Sequence, residues 1–241
     1  MKQIDYQAYW RNPWGSELED GGLKSICIPE FFINLTGVTA MVTTTMLKYL
    51  PLDASIIELG CGTGRNLAGL KAVGFTNLFG VEINPDAIAL GRKSFPLLEG
   101  IEILNSSIED AINDLPEADC YFTQGVLMHL PPTSEWVFEV MSRKARKLIM
   151  TSENEDHGYV IAWARDYGKI FTALGWTELE REKCGKWHDL PDTTIRHVLK
   201  KEQVIDESPD PQLPEQSPVA DPVIAVAESG HSKRGRKHTA H

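Results

Sequence analysis

The segment Glu58-Leu59-Gly60-Cys61-Gly62-Thr63-Gly64-Arg65-Asn66 constrains this chain more than any other. It follows Ser55–Leu59, a short apolar run with the length of a buried strand. It precedes Asn66–Val73, where Leu67, Leu70 and Val73 recur at helical spacing. Glycines at alternate positions between a strand and a helix permit a tight turn and let a ligand come close to the backbone.

The same alternation continues downstream. Leu78–Glu82, Ile101–Leu104, Cys120–Thr123 and Lys147–Thr151 read as strands, and Asp86–Lys93 and Glu135–Arg143 as helices between them. Strands and helices alternating at this spacing imply βαβ units and a mostly parallel sheet. After a helix expected near Tyr159–Leu174 the pattern changes. Thr177–Glu182 and Thr194–Lys200 read as two strands joined by a loop, which predicts an antiparallel hairpin at the sheet edge. The expected fold is α/β, a Rossmann-like doubly wound sheet of seven strands, mostly parallel, with an antiparallel C-terminal hairpin.

Around this core, residues 51–205, two segments differ in composition. Residues 1–50 are rich in aromatics (Tyr6, Tyr9, Trp10, Trp14, Phe31, Phe32) and end in a candidate helix, Met41–Leu50. They either pack on the sheet or fold over a site as a lid. Residues 206–241 carry Pro209, Pro211, Pro214, Pro218 and Pro222 among Ser, Glu and Ala, a composition that predicts a disordered tail. Its basic cluster, Lys233, Arg234, Arg236 and Lys237, is either a solvated end or a contact for an anionic surface.

The net charge of −10 disfavours nucleic acid, whose phosphates would be repelled, and suits a cationic ligand. Cys27, Cys61, Cys120 and Cys184 are too far apart for a zinc knuckle or a disulfide framework, which points to a reducing cytoplasm. No run of about 18 apolar residues is present to span a membrane. The polar start, Met-Lys-Gln-Ile-Asp-Tyr, lacks the apolar core of a signal peptide. No histidine–carboxylate cluster has ligand spacing, so no metal is expected.

The glycine loop also selects among ligands. A dinucleotide fold uses G-x-G-x-x-G to seat a pyrophosphate on the helix N-terminus. Here the spacing is G-x-G-x-G, and Glu58 stands at the mouth of the loop. A carboxylate there repels a pyrophosphate and attracts an ammonium or sulfonium. Glu82, ending the next strand 18 residues beyond Gly64, is placed to accept hydrogen bonds from ribose hydroxyls. Adenosine, an amino-acid moiety and a positive centre together describe S-adenosyl-L-methionine.

Glu58 through Asn66, followed by Val81-Glu82-Ile83-Asn84, resembles the class I S-adenosylmethionine-dependent methyltransferases over about residues 50–200. Within that class, Gly60–Leu67, Phe79–Asn84, Thr123–His129 and Arg165–Tyr167 are similar to the methylase group associated with pseudaminic acid biosynthesis. The resemblance implies that Gly60, Cys61, Gly62, Thr63, Gly64 and Asn66 line the methionine part of the cofactor, with Glu58 near its amino group. It places Glu82 on the ribose and Ile83 against the adenine. Ser107 and Ile108 follow the third strand, with Ser107 where the family often has an acid. Gln124 and Gly125 would border the sulfonium and the transferred methyl.

Methyl transfer is an in-line displacement at carbon, so much of the catalysis is positioning. A hydroxyl or protonated amine acceptor needs a base as well. His129, five residues past Gln124, either serves as that base or ends a short helix on a backbone carbonyl. Glu153 and Asn154 follow the fifth strand, where ligands gather in such sheets; Glu153 either orients the acceptor or caps the next segment. Arg165 either pairs with Asp166 or binds an acidic substrate group. The expected function is methyl transfer to an O or N of a small molecule, a sugar or sugar nucleotide if the subgroup resemblance holds. The competing readings are a non-catalytic cofactor-binding module acting through a partner and an NAD-dependent oxidoreductase.

Overall fold

The computed structural model describes residues 5–12, 29–156 and 162–201. The proline-rich tail, its basic cluster, Trp14 and Cys27 lie outside them.

The described residues form a seven-stranded sheet in the order β3-β2-β1-β4-β5-β7-β6. The strands are β1 (Ser55–Leu59), β2 (Asn77–Glu82), β3 (Glu102–Asn105), β4 (Ala118–Gln124), β5 (Ala145–Asn154), β6 (Trp176–Lys183) and β7 (Thr194–Lys201). The first five run parallel, and β7 lies antiparallel to both β5 and β6. The expected hairpin is present, with its second strand inserted against β5 and its first at the edge.

The helices are α1 (Tyr6–Arg11), α2 (Pro29–Phe32), α3 (Thr36–Tyr49), α4 (Arg65–Ala72), α5 (Pro85–Ser94), α6 (Ile108–Ala111), α7 (Trp136–Lys144) and α8 (Tyr167–Ala173). A core lies on each face of the sheet. On one, Met41, Val42 and Met46 of α3 and Leu67 and Leu70 of α4 pack with Ile56, Cys120 and Phe122. On the other, Val137, Phe138 and Met141 of α7 and Phe171 of α8 pack with Ile57, Tyr121 and Ile149. The period-2 alternation of β1 and β4 explains the division, since successive side chains leave a strand on opposite faces.

Three expectations change. Of the helix expected near Tyr159–Leu174, residues 159–161 lie outside the described residues, and within 162–174 the helix is Tyr167–Ala173, with Asp166 capping it by accepting from the Lys169 amide at 2.9 Å. Helix α3 starts at Thr36 rather than Met41. Strand β5 runs to Asn154 rather than Thr151, because Glu153 and Asn154 still pair with Ile195 and Thr194 of β7.

The glycine loop is held from two sides, by the end of β2 and by α5. The Gly60 and Cys61 amides donate to the Val81 carbonyl at 2.8 and 2.9 Å, tying the turn to the end of β2. Gly60, Gly62 and Gly64 all have positive φ, between 55° and 71°, which other side chains rarely adopt. Gly91 of α5 packs so closely that an added Cβ would lie 2.0 Å from the Thr63 carbonyl oxygen.

Candidate functional site

At the C-terminal ends of β1, β2 and β4 lies a cavity of about 390 Å³, the size range of a small-ligand site. Its floor is Gly60–Thr63 with Glu58, Arg65 and Asn66; Glu82, Ile83 and Asn84 form one wall, and Ser106–Glu109 continue it. Gln124, Gly125 and Val126 come from the end of β4, and Ser152, Asn154 and Thr194 from β5 and β7. The resemblance-derived cofactor residues thus converge on one cavity, apart from Gly64, whose φ of 71° instead opens α4 as its N-cap.

Glu82 is buried, and its carboxylate is already bonded: Gly62 N donates to one oxygen at 2.7 Å and Asn84 N to the other at 2.8 Å. Burial pushes its pKa up, and these backbone donors oppose the shift. Asn84 in turn caps α5, accepting from the amides of Asp86 and Ala87. Glu58 is buried too. One oxygen accepts from the Asn66 amide at 2.8 Å, and the other has no partner. Burial pushes this carboxyl up to about 8, against the pull of Asn66 and Arg65.

The Arg65 guanidinium donates to the Phe32 carbonyl, to Thr39 Oγ1 at 2.9 Å, to Asn66 Oδ1 and to Gln124 Oε1 at 3.3 Å. It stitches α2, α3 and the end of β4 around the cavity floor. The Cys61 thiol is buried beside it, and burial followed by the charges of Glu58 and Glu82 push its pKa well up, so it fills the turn as a neutral group.

Ser107 caps α6. Its hydroxyl accepts from the Asp110 amide, donates to Asp110 Oδ2 at 2.7 Å and receives Gln7 Nε2 at 3.4 Å. Ile108 is buried next to it on the cavity wall.

His129 ends a 3-10 turn, Leu127–His129, on the cavity wall, with its ring 4.3 Å from that of Trp10. Glu153 does not reach the cavity. Ser152 and Asn154 line it, so the residue between them in an extended strand faces the other way. The placement expected of Glu153 assumed a loop where the chain is still strand. Its carboxylate accepts from Thr123 Oγ1 at 2.8 Å, Val126 N at 2.8 Å and Met128 N at 3.3 Å. Arg165 does not pair with Asp166. It donates to the carbonyls of Leu127 and Leu130 and to Glu135 Oε1.

Several lining residues carry no motif. Tyr6, Gln7 and Trp10 of α1, Phe32, Leu35, and Asp189, Leu190 and Pro191 of the β6–β7 connection complete the outer wall. Their only trace in the sequence is the aromatic density of the first 50 residues. Away from the cavity, Glu155, Asp166 and His197 bring ligand-type atoms within 4.8 Å of one another. These groups are engaged internally: His197 bridges Glu155, at 2.8 Å, and Glu178, while Asp166 holds Lys169. Their separation along the chain hid the cluster from spacing arguments. No described helix is long and apolar enough to cross a membrane.

Comparison with known proteins agrees with this geometry. Residues 56–147 match a family described as a methyltransferase domain. A segment of 64 residues is 39% identical to EEF1A lysine methyltransferase 2 of Mus musculus, covering 27% of this chain and 26% of that protein. The chain therefore matches about a quarter of the length of that curated relative. Among solved structures, magnesium protoporphyrin IX methyltransferase from Synechocystis PCC 6803 with bound SAM superposes with a TM-score of 0.60 at 13% identity, over 83% of this chain and 99% of that one. A 1,6-didemethyltoxoflavin-N1-methyltransferase from Burkholderia thailandensis, with bound 1,6-didemethyltoxoflavin and S-adenosylhomocysteine, gives 0.57 at 14% identity, over 81% and 88%. At these identities the likeness is one of fold. Residues 56–147 are thus similar to a methyltransferase domain, and the described sheet has the fold of these two solved methyltransferases.

Proposed function

We propose that the chain transfers a methyl group from S-adenosylmethionine to an amine, releasing S-adenosylhomocysteine. The observation that carries this reading is the charge of the cavity wall. Glu82, Glu109 and Asp189 contribute carboxylates, Glu58 adds a carboxyl group that a neighbouring cation would ionise, and the one arginine among the described lining residues, Arg65, has every guanidinium nitrogen engaged within the protein. Among the described lining residues an anionic acceptor finds no lysine or free arginine to pair with. A cationic one finds carboxylates and the aromatic walls of Tyr6, Trp10 and Phe32, which attract ammonium groups.

In this reading Glu82 accepts from the ribose hydroxyls, Ile83 and Ile108 sandwich the adenine, and the unpartnered Glu58 oxygen meets the cationic amino-acid end. Gln124 and Gly125 border the methyl. The bound ammonium first gives a proton to His129, directly or through water. The lone pair so exposed attacks the methyl carbon in line with the carbon–sulfur bond, whose electron pair stays on sulfur, and the product nitrogen carries the positive charge. The match to a lysine methyltransferase supports an amine acceptor.

A sugar acceptor is the second reading, favoured by the likeness of Thr123–His129 and Arg165–Tyr167 to the pseudaminic-acid-associated group. It would have to be uncharged near the reacting atom. Arg65 and Arg165, which could otherwise pair with the phosphates of a sugar nucleotide, are engaged by internal acceptors, and the exposed Lys169 pairs with Asp166.

The test is transfer of labelled methyl from S-adenosylmethionine to poly-L-lysine and, in parallel, to a nucleotide sugar, with calorimetric titration of S-adenosylmethionine, S-adenosylhomocysteine and NAD. Label on the lysine polymer is the expected result. Label on the sugar alone would replace the amine reading. Binding of NAD alone would end both.

A further inference from the structure

The buried carboxylate of Glu153 has no part in the reaction as written, yet it is among the most fully satisfied acceptors near the cavity. It is inaccessible to solvent. One of its oxygens takes the Val126 and Met128 amides, and the other takes the Thr123 hydroxyl. The same stretch of backbone is held from its opposite, carbonyl side. Arg165 Nη2 donates to Leu130 O at 2.9 Å and Nη1 to Leu127 O at 3.3 Å, while Trp163 N donates to Met128 O at 2.8 Å. An acid thus gathers the amides of residues 126–128, and a base gathers the carbonyls of 127–130. The stretch between them has little regular hydrogen bonding of its own, being one 3-10 turn, and it carries His129 to the cavity wall against Trp10.

We propose that Glu153 is a positioning residue, whose carboxylate works with the Arg165 guanidinium as a two-sided clamp that holds residues 126–130, and with them His129, in the geometry methyl transfer requires. This rests on the methyl-transfer reading above. Charged clamping suits the task, because hydrogen bonds to an ionised acceptor are roughly twice as strong as neutral ones. The effect on rate follows from how steeply in-line transfer depends on placement, where an error of about 1 Å can cost about a hundredfold.

Protonation offers a second handle. Burial pushes the Glu153 carboxyl up to about 7, partly offset by Thr123 and the loop amides. The other ionisable group against it is Tyr167 of α8, pushed up by burial and by the Glu153 charge, with Arg165 beyond. Tyr167 stays neutral across the physiological range. His129, the base proposed above, rides on the clamped stretch itself, so the pH dependence of the clamp is read from amide exchange rather than from rate.

The experiment compares the wild-type chain with Glu153→Gln and Glu153→Ala in three readouts. The first is amide exchange over residues 124–130. The second is affinity for S-adenosylhomocysteine. The third is kcat and KM for poly-L-lysine as a function of pH. Glu153→Gln can keep all three contacts, with Thr123 turned to accept, but not the charge. The expected result is faster exchange in Glu153→Ala, kcat lower by about tenfold or more, and inhibitor affinity within about threefold. Glu153→Gln should recover much of the high-pH rate, and its exchange at 126–128 should no longer quicken as pH falls through 7, whereas an acid limb of the rate that persists in this variant belongs to His129. Two results overturn the proposal: unchanged exchange at 126–128 in a folded Glu153→Ala, or faster exchange with kcat unaltered. Failure of the methyl-transfer reading looks different, since the wild type would then neither bind S-adenosylhomocysteine nor turn over, whatever the exchange pattern.

Discussion

The carboxylate of Asp189 accepts the backbone N–H of Gly37 at 2.6 Å, so a residue of the β6–β7 connection caps a helix 152 positions earlier in the chain. The N-cap of α3 itself, Leu35, has no side chain able to do so. Gly37 is required at this contact, because an added Cβ would lie 2.6 Å from the Trp187 carbonyl oxygen. Asp189 takes a left-handed conformation, φ 55°, to reach it and also lines the cavity. Loss of such a cap costs about 1 kcal/mol. Asp189→Ala should lower the melting temperature accordingly, whereas Asp189→Asn should keep the cap and the stability. If Asp189 also draws a cationic acceptor, Asp189→Asn should raise KM for poly-L-lysine while leaving the melting curve in place. An unchanged KM would confine Asp189 to its structural task.

Glu82→Ala removes an acceptor shared by the glycine loop, through Gly62, and by the start of α5, through Asn84. With the ribose bonds proposed above also gone, at about 1.5–3 kcal/mol for each bond to a charged group, cofactor affinity should fall at least about tenfold. Calorimetry with S-adenosylhomocysteine decides it. Undiminished affinity in a folded variant would take Glu82 out of the binding site.

Burial pushes the Glu58 carboxyl up to about 8. An ammonium or sulfonium beside its unpartnered oxygen favours the ionised form and lowers that value. Binding of S-adenosylmethionine near neutrality should therefore release up to one proton, more completely at pH 7 than at pH 9. Titrations in buffers of different ionisation enthalpy measure it directly. Identical binding enthalpies in every buffer would mean that the cationic end lies elsewhere.

His197 is fully buried between Glu155 and Glu178. Burial alone would lower its pKa, but the two carboxylates outweigh it and raise the value above the usual 6.5. A histidine raised in this way stabilises the fold in full below its unfolded-state pKa, and the contribution is lost as pH rises through the folded-state value. The wild type should lose stability across that window relative to His197→Gln. Melting curves of the two proteins that stay parallel at every pH would refute the coupling.

The sequence was most readable where a local pattern and a tertiary requirement coincide. Ser55–Leu59 is strand β1 to the residue, since the run is apolar, buried on both faces and stopped by glycines whose φ values no strand accommodates. The glycine-loop side of the cavity was legible for the same reason: a turn that needs glycine advertises itself. The opposite side was not. Trp10, Leu190 and Asn154 reach the cavity from three distant segments, and no spacing links them. The errors have equally concrete causes. Helix α3 begins early because Asp189 supplies its cap from far away in sequence. Residues 162–166 are not helical, because Arg165 and Trp163 turn to the backbone of residues 127–130 instead. Glu153 was mistaken for a loop residue because its strand is prolonged by pairing with β7, a partner that the local composition of β5 does not announce.

The place of β7 also sets a timetable. It is the last of the described strands in sequence, yet it lies between β5 and β6. On a ribosome, β1 to β5 can assemble while β5 still presents a bare edge of amides and carbonyls. β6 emerges next and has no neighbour to join until Lys201 has cleared the exit tunnel. The nascent protein therefore spends the synthesis of nearly fifty residues beyond Asn154 with its most adhesive border open. A single late docking of the hairpin then seals that border and delivers Thr194 to the cavity wall.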